Sequence, residues 1–492
     1  MRLQPSSNKR TMISKRLISI ISVSFALLSY LSCAKPEEKQ ENFVASLSVS
    51  PASLSFDNEG GTAEISVLSN LDWSISADSW ISVTPLTGTA SATATKITVS
   101  IPENLTSDPI AGYITVSNGK NTGKVSVTQR GAVIDGIETI TISEFREKKD
   151  NASFWYRISG EVISIAGPDM GDLFIADKTA YVYVYGLSPK GGTNIEFPSL
   201  GIKPGDKITI VAHKTTYNGI IETNGAYLDS YTKGEYTTGK KTSTAPDWME
   251  LPALEHGGIN YFLQHFMVDG SRNYSVNFDP QNRLAKWVAY PLCNGNIGSG
   301  KRSDAYAYDP LVPISEQATL YKKSYQIGNG AQFVRGHMVP SADRLNFRAN
   351  VDVFLATNIM PQNSDLNAGV WEVLEKRIRN NWVKNSDTLY VVVGTDISRS
   401  ETYVLDTDGK QITVPNSIYK AILSYSAKDG YRGVGFYFEN SSVSAGLELE
   451  KSAISIDELE KKTGVDFFVN LPDDLETQVE SKNPQSDSFW WR

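Results

Sequence analysis

Between residues 45 and 231, hydrophobic and polar residues alternate in short runs that end at glycine or asparagine. Residues 63–67 (Ala-Glu-Ile-Ser-Val) and 124–128 (Lys-Val-Ser-Val-Thr) are typical of the first part, 45–131. Alternation with a period of two indicates strands with one buried face, because successive side chains of a strand point to opposite sides. We therefore predict a small β-sandwich over residues 45–131.

The stretch 137–231 has the same alternation, with glycines at its bends. Short strands that bend at glycine favour a five-stranded β-barrel. Tyr181, Tyr183 and Tyr185 alternate along one of these strands and would share a face. We expect this row to be one face of an aromatic core, with a platform for base stacking as the alternative.

A helical period appears later in the chain. Apolar residues recur there every four positions and predict a helix with one buried face, capped by Asn363 or Ser364. The strand-like run 388–395 predicts a central sheet strand after the helix. Residues 232–250 are polar and predict a linker, so that 251–492 would form an α+β domain. The apolar residues of the helix are Leu366, Val370, Leu374 and Ile378.

A second set of residues, three of them polar, lies beside that buried helix face. Its members also fall four apart, so they form a slowly drifting stripe along a neighbouring face. They are Asn367, Trp371, Glu375 and Arg379. An amide, a carboxylate and a guanidinium can therefore line one cleft.

Residues 1–33 have the features of an export signal. Basic residues precede an apolar run, 17–31, that is too short to span a bilayer comfortably. Leu31-Ser32-Cys33 resembles the lipobox of bacterial lipoproteins, which implies cleavage before Cys33 and lipid attachment to it. Residues 35–38 resemble the surface-export tag of Bacteroidetes lipoproteins, so we expect an outer-membrane lipoprotein exposed at the cell surface. The alternative is an ordinary signal peptide with an incidental cysteine.

Size and charge set further limits. The 492 residues exceed what one hydrophobic core usually organises, which agrees with three folded units. The net charge of -8 gives no general attraction for nucleic acid, but residues 271–384 carry 14 Lys and Arg against 9 Asp and Glu. A polyanion would therefore meet a locally basic surface in the last domain.

Cysteine and histidine usage excludes two kinds of site. Once Cys33 is lipidated, only Cys293 remains, so no intramolecular disulfide can form. The chain has no Cys-x-x-Cys and no paired His/Cys spacing, which argues against structural zinc. His213, His256 and His265 belong to no recognisable ligand cluster, and we expect them to be incidental.

The predicted sandwich contains a set of short motifs: residues 54–56, Gly60-Gly61, Trp73, Trp80 and the ending 127–130. Together these motifs resemble the BACON domain of Bacteroidetes surface proteins. The resemblance implies contact with glycans, for which the two tryptophans would be stacking platforms. Tryptophan in a small sandwich is more often core, so we expect a spacer first. The barrel that follows resembles the OB-like domains of such surface proteins and of secreted nucleases.

A more specific resemblance covers about residue 270 to the C-terminus, nearly half of the chain. Four motifs carry it, and their order and separation make it specific, although a bare Arg-Gly-His triplet would not be. The motifs are residues 283–290, the Lys301-Arg302 and Asp309 region, Arg335-Gly336-His337, and residues 358–379. Together they resemble the DNA/RNA non-specific endonucleases, the ββα-metal nucleases.

The resemblance implies a role for each residue of the site. His337 would be the general base that activates water, and a side chain that titrates near neutrality suits this task. Asn367 would be the single protein ligand of Mg²⁺, with Mn²⁺ as the alternative, and water would supply most of the other ligands. Glu375 would orient those waters.

Arginines would complete the site. Arg379 matches the family residue that stabilises the transition state, with Arg335 and Arg283 as further phosphate contacts. Guanidinium groups suit phosphate because they present paired donors and a fixed positive charge.

One position departs from the family pattern. The usual Asp-Arg-Gly-His begins here with Val334. If the segment is extended, Val334 and His337 point to opposite faces, so the loss falls on the side away from the reacting water. We therefore expect a changed supporting contact at Val334.

The sequence thus predicts a surface-anchored, magnesium-dependent endonuclease that cleaves DNA and RNA. Phosphate contacts carry no sequence information and no base-reading motif is visible, so little sequence preference is expected. One alternative is a glycan-binding surface lipoprotein with an inactive nuclease-like domain. Another is an enzyme for a narrower phosphodiester substrate.

Overall fold

The computed structural model describes residues 45–106, 109–132, 136–254, 258–321, 325 and 333–491. The predictions for residues 1–33, for lipidation of Cys33 and for His256 fall outside the described residues. Apart from Ala45, the described residues belong to one unit, Ser46–Arg492. In the described part of the chain, no helix has the length and apolar character needed to cross a membrane.

Nine strands form two facing sheets in the N-terminal region. They are β1 (Leu47–Ser50), β2 (Ser53–Phe56), β3 (Gly61–Ser69), β4 (Trp73–Ala77), β5 (Ser82–Thr84), β6 (Thr87–Gly88), β7 (Thr95–Ile101), β8 (Ile110–Ser117) and β9 (Thr122–Gln129). The sheet orders are β1-β3-β7-β5 and β2-β9-β8-β4-β6. Trp73 lies in the shared core, where it is 4% exposed, so it is not a sugar platform. Trp80 is partly buried against the same core.

Seven strands and two short helices follow. They are β10 (Glu138–Thr139), α1 (Ile142–Glu147), β11 (Tyr156–Gly167), β12 (Asp172–Ala176), β13 (Tyr181–Val184), β14 (Ser188–Pro189), α2 (Phe197–Leu200), β15 (Lys207–Tyr217) and β16 (Ile220–Thr232). Strands β11, β12, β13, β16 and β15 pair in that order, and β15 returns to β11, so five strands close into a ring. This confirms the predicted five-stranded barrel.

An eight-stranded antiparallel sheet organises the C-terminal region, in the order β17-β18-β19-β20-β23-β26-β27-β28. The strands of this region are β17 (Gly239–Thr242), β18 (Tyr261–Phe266), β19 (Arg272–Asp279), β20 (Leu284–Leu292), β21 (Phe333–His337), β22 (Ile359–Asn363), β23 (Thr388–Asp396), β24 (Tyr403–Leu405), β25 (Gln411–Thr413), β26 (Ser417–Ser426), β27 (Gly430–Glu439) and β28 (Ala453–Ile454). Strand β23 is central, as the run 388–395 predicted.

The predicted linker, 232–250, is not wholly a linker. Its residues Gly239–Thr242 form β17 and pair with β18 at the edge of the large sheet. A polar segment can form an edge strand because one of its sides faces solvent, so polarity alone did not identify the strand.

Helices cover both faces of the large sheet. They are α3 (Asn294–Ile297), α4 (Phe347–Asp352), α5 (Ser364–Leu366), α6 (Glu372–Asn380), α7 (Ile456–Thr463), α8 (Asp473–Glu480) and α9 (Ser488–Trp491), and a π-helical turn, Asn367–Trp371, joins α5 to α6. The hairpin β21–β22 precedes α5.

The sheet separates two hydrophobic layers. Val391 and Val393 of β23 pack in the same core as Leu374 of α6, whereas Val392 packs in the same core as Leu459 of α7. This follows from the alternation of side chains along a strand. The hairpin and α6 thus lie on one face of the sheet, and α7 and α8 lie on the other.

Tyr181 and Tyr183 of β13, and Tyr185 just after this strand, lie on the outside of the barrel. Tyr181 and Tyr183 are half-buried against the core of the C-terminal domain, and Tyr181 stacks on Phe347 with ring centroids 6.3 Å apart. Tyr185 is 54% exposed. The row is therefore neither a barrel core nor an open platform: two of its rings form an interface between domains. The sequence showed the shared face but not what covers it.

Candidate active site

An open cleft of about 340 Å³ lies between the hairpin β21–β22 and the helical run α5–α6. His337 and Arg335 line it from β21, Asn367 from the π-helical turn and Glu375 from α6. Four of the six predicted site residues therefore meet in one place. Arg302 lines the same cleft from a loop.

The hairpin fixes His337 and Arg335 on one side of β21. They are two residues apart on an extended strand and so share a face, whereas Val334 is three residues from His337 and points away, as predicted. Gly336 lies between them, opposite β22. A Cβ at this position would overlap the side chain of Gln362, so the close approach of the two strands requires glycine.

His337 lies in an apolar and positively charged setting. It is 9% exposed, and its ring packs edge-on against Phe354 with centroids 4.6 Å apart. Burial, and then the charges of Arg302 and Arg335, hold the pKa of His337 well below its usual range. Its Nε2 is buried and has no hydrogen-bond partner among the described residues. The imidazole is therefore neutral near pH 7 and free to accept a proton.

Tyr306 positions both arginines of the cleft. The Arg335 guanidinium stacks on its ring at 3.7 Å, and Arg302 Nη2 donates a hydrogen bond to its hydroxyl at 3.1 Å. Arg335 Nη1 also donates to the carbonyl of Leu320 at 2.6 Å. Stacking and hydrogen bonding reduce the freedom of two long side chains, so the positive charges are held at the cleft before a substrate arrives.

The helical run presents Asn367 at a break in its regular geometry. Asn363 caps the run by accepting hydrogen bonds from the backbone N–H of Asp365 and Leu366 at 3.0 and 3.1 Å. Gly369 has non-helical torsions (φ -100°, ψ -126°), and the next N–H donates to the carbonyl of Ala445 at 2.9 Å. π-Helical turns are frequent at functional sites, and this one was not predicted from the sequence.

Glu375 faces the cleft on one side and a buried lysine on the other. Its carboxylate lies 3.6 Å from the Nζ of Lys420, which is fully buried in β26. Lys420 Nζ also lies 4.5 Å from the ring centre of Trp371. Burial raises the pKa of Glu375, with Lys420 opposing that rise. The Lys420 charge therefore favours the ionised form of Glu375.

Arg379 lies behind the cleft. Its Nη1 donates to Asp343 Oδ1 at 2.8 Å, and the other oxygen of Asp343 accepts from the hydroxyl of Tyr290 at 2.8 Å. Asp343 is 1% exposed. Arg379 is thus held beside Glu375 and Asp343 and is not among the residues that line the cleft, so its contact with a phosphate stays a prediction.

The structure does not bring Arg283 to this cleft. Its guanidinium donates to the backbone carbonyls of Ser315 and Gln411, at 3.2 and 3.0 Å, and it lines a separate surface depression with Ser400 and Thr413. Arg283 lies immediately before β20 and is not among the residues that line the cleft. A motif match along the sequence could not show where this side chain lies.

Three residues of the site were given no role by the sequence. Arg302 belonged to a quoted motif, but nothing in its spacing placed it near His337. Glu372 is an exposed helix residue paired with Lys376 at 2.8 Å. Lys420 did leave a signal, because a lysine inside the otherwise apolar run of β26 must find a buried partner.

The donors of the cleft fit a hard divalent cation. The Asn367 carboxamide has no hydrogen-bond partner among the described residues, and the carboxylate of Glu375 opens onto the same space. Mg²⁺ prefers a site with few protein oxygens and room for several waters, because this ion dehydrates reluctantly. Sulfur and a second histidine, which would indicate zinc, are not among the residues lining the cleft.

Comparisons with known proteins agree with this geometry. Residues 264–474 match the family model described as DNA/RNA non-specific endonuclease, and residues 46–132 match the Viral BACON domain model. The chain is 31% identical over 217 residues to a nuclease of Nostoc sp., covering 42% of this chain and 76% of that protein. It is 29% identical over 212 residues to a nuclease of Serratia marcescens, covering 42% and 77%.

The match extends to animal proteins. Over 215 residues the chain is 30% identical to the mitochondrial nuclease EXOG of Xenopus laevis, covering 41% of this chain and 58% of that protein. The region that matches the family model, residues 264–474, contains the hairpin, the helical run and every residue that lines the cleft. Through its C-terminal domain, this chain belongs to the DNA/RNA non-specific endonuclease family.

Proposed function

We propose that the chain is a magnesium-dependent endonuclease that hydrolyses phosphodiester bonds of DNA and RNA with little sequence preference. The observation that carries the proposal is the convergence of His337, Asn367, Glu375 and two arginines on one open cleft. Family membership supports endonuclease activity, and the donor set of the cleft supports Mg²⁺, with Mn²⁺ as the alternative.

His337 would act as the general base. Its neutral imidazole takes a proton from water as the water oxygen bonds to phosphorus, and the phosphorus–oxygen bond on the opposite side then breaks. The leaving oxygen takes a proton from solvent. An approaching phosphate carries negative charge, which offsets the repulsion from Arg302 and Arg335 and raises the affinity of His337 for the proton.

Asn367 would hold the metal ion, and Glu375 would orient its waters through hydrogen bonds. The bound ion supplies positive charge for the developing charge on phosphorus and the leaving oxygen. Arg302 and Arg335 add fixed positive charge at the same cleft. These groups contact phosphate and not base edges, which explains the expected lack of sequence preference.

Removal of His337 is the direct test. We expect His337→Ala to lower the rate on plasmid DNA and on RNA by about 10²- to 10⁴-fold, since it removes a general base. His213→Ala is the matched control, because His213 lies on the barrel, where its ring contacts Trp155 with ring centroids 3.6 Å apart. EDTA should stop the wild-type enzyme. Equal digestion by wild type and His337→Ala would reject the proposal.

We further propose that the barrel is OB-like and serves as a support. Its ring order, with a parallel contact only between β13 and β16, supports the OB assignment. The β12–β13 face that such barrels use for nucleic acid is covered by the C-terminal domain. Tyr185→Ala should therefore leave the affinity for single-stranded DNA unchanged in a filter-binding assay.

Attachment to the outer membrane through Cys33 is also a proposal. The lipobox-like Leu31-Ser32-Cys33 supports it. Metabolic labelling with a palmitate analogue should tag the wild type, and Cys33→Ala should abolish the label. A label that persists in the variant would contradict lipidation at this residue.

A further inference from the structure

A cluster of carboxylates lies between α7 and α8, on the face of the large sheet opposite the cleft. Asp457 and Glu460 belong to α7, and Glu480 is the last residue of α8. One ligand oxygen of each lies within 4.8 Å of the others. Two oxygens bound to one Ca²⁺ at about 2.4 Å can be at most about 4.8 Å apart, so the three carboxylates are close enough to share one calcium ion.

A separate observation concerns Glu480 itself. Glu480 is only 4% exposed, and its Oε1 is buried with no hydrogen-bond partner among the described residues. A buried carboxylate oxygen without a partner is costly, and its usual remedies are a hydrogen bond, a cation or a proton. No described lysine or arginine forms an ion pair with Asp457, Glu460 or Glu480.

The surroundings add negative charge. Glu476 and Asp466 both act on Glu480 with the same sign of charge. The Glu460 Oε1 accepts a hydrogen bond from the backbone N–H of Phe467 at 2.8 Å, which fixes one carboxylate of the group. The cluster therefore has both the oxygen ligands and the uncompensated charge that attract a divalent cation.

We propose that Asp457, Glu460 and Glu480 bind a calcium ion that joins α7 to α8. Several carboxylates in a partly flexible arrangement favour Ca²⁺ over Mg²⁺, which retains most of its waters. Ile456 and Leu459 of α7 and Val479 of α8 pack together in the core on this face of the sheet, so the ion would secure the layer that supports the sheet from behind.

Calcium-dependent thermal stability tests the proposal in the full chain. An Asn367→Ala background removes the predicted metal ligand of the cleft, so that any response comes from elsewhere. In this background, Ca²⁺ in excess over EDTA should raise Tm by about 3 °C or more. Glu480→Gln should abolish the rise, whereas Asp474→Asn, an exposed acid-to-amide change on the same helix, should retain it.

Titration calorimetry with CaCl₂ gives an independent measurement. We expect one binding event per chain in Asn367→Ala and none in Asn367→Ala/Glu480→Gln. Absence of calcium binding in the first protein, or equal binding in both, would overturn the proposal and leave a protonated Glu480 as the explanation. The outcome is independent of the nuclease proposal, because the Glu480→Gln variant with Asn367 intact should cleave DNA with Mg²⁺ within about twofold of wild type.

Discussion

Two groups of carboxylates, each with one buried member, lie on opposite faces of the same sheet, and their negative charges are balanced in different ways. Beside the cleft, Glu375 and Asp343 face Lys420 and Arg379, so each acid has a basic partner from the protein. Between α7 and α8, the three carboxylates face one another without a described basic partner.

The difference shows how one sheet can support two kinds of charged site. Protein cations hold the cleft side in a fixed arrangement before substrate binds, which is what a reaction with a developing charge requires. The far side lacks such partners, so its stability depends on what solution supplies. Replacing a carboxylate by its amide should therefore lower activity on the cleft side and remove calcium-dependent stability on the far side.

The largest difference in nuclease activity between the two sides should appear when one carboxylate on each side is replaced by its amide. Glu375→Gln should lower kcat/KM on plasmid DNA by about 10- to 100-fold, because an amide orients metal-bound water less well. Glu480→Gln should change it by less than about twofold. Comparable losses in both variants would show that the two faces are not independent.

Removal of Lys420 tests whether its positive charge balances the carboxylate of Glu375 on the cleft side. Lys420→Met leaves Glu375 without its cation, and we expect a loss of about 1–3 kcal/mol in the free energy of unfolding, reduced by the access of water to Glu375 from the cleft. Activity should fall about tenfold. Lys420→Met/Glu375→Gln should regain most of the stability in urea unfolding but not the activity.

Lys420→Arg separates two roles of this side chain, which are filling space in the core and placing a positive charge beside Glu375. If Lys420 acts only by filling space, Lys420→Met should be as active as wild type and Lys420→Arg should not. If it acts by its charge on Glu375, Lys420→Arg should retain more activity than Lys420→Met.

The pH dependence of kcat/KM tests whether the positive charges of the cleft lower the pKa of His337. Burial, Arg302 and Arg335 lower the pKa of His337, so the base loses activity only when acid protonates it. The acid limb of kcat/KM, which reports the free enzyme, should lie below pH 6.5. Arg302→Gln removes one repelling charge and should move the limb upward. A wild-type limb above pH 6.5 would contradict the assignment.

The smallest effect concerns a buried pair away from both sites. His265 Nε2 lies 3.0 Å from Asp309 Oδ2, and both side chains are fully buried. Burial lowers the pKa of His265, but the charge and hydrogen bond of Asp309, together with the charge of Asp352, outweigh burial and raise that pKa above 6.5. His265 therefore stabilises the fold below pH 6.5, and this contribution is lost as pH rises through the raised value.

Asp309 behaves in the opposite sense. Burial raises its pKa, but the charge and hydrogen bond of His265, together with hydrogen bonds from Thr357 and the Leu311 backbone, outweigh burial and lower the pKa below 3.8. Its contribution is present above pH 3.8 and is lost as pH falls through the lowered value. Urea unfolding should thus show greater stability at pH 6 than at pH 9 in the wild type, and a smaller difference in His265→Gln. His265, expected to be incidental, has a structural partner.

Much of the cleft was predictable because its residues lie close together in sequence. The period of four placed Leu366 and Leu374 in the core, and both are fully buried. The same period placed Asn367 and Glu375 on a neighbouring face, and both line the cleft. Local periodicity is sufficient there, since a helix converts spacing directly into direction.

The sequence led to a wrong prediction, or to none, for contacts between segments that are distant along the chain. Arg283 and Arg302 both lie in basic motifs, yet only Arg302 reaches the cleft. Lys420 lies 45 positions after Glu375, and no local pattern joins them. The tyrosines of β13 were assigned a common face, but their burial against the C-terminal domain depends on how the barrel packs.

By itself the sequence determined the alternation that makes the sheets, the helix that carries Asn367 and Glu375, and the glycine that lets His337 and Arg335 share a tight hairpin. Tertiary structure decided which charges meet: Lys420 with Glu375, Arg379 with Asp343, and three carboxylates with one another. Strand and helix geometry follow from neighbouring residues, whereas the energy of a buried charge depends on whichever group folding places beside it.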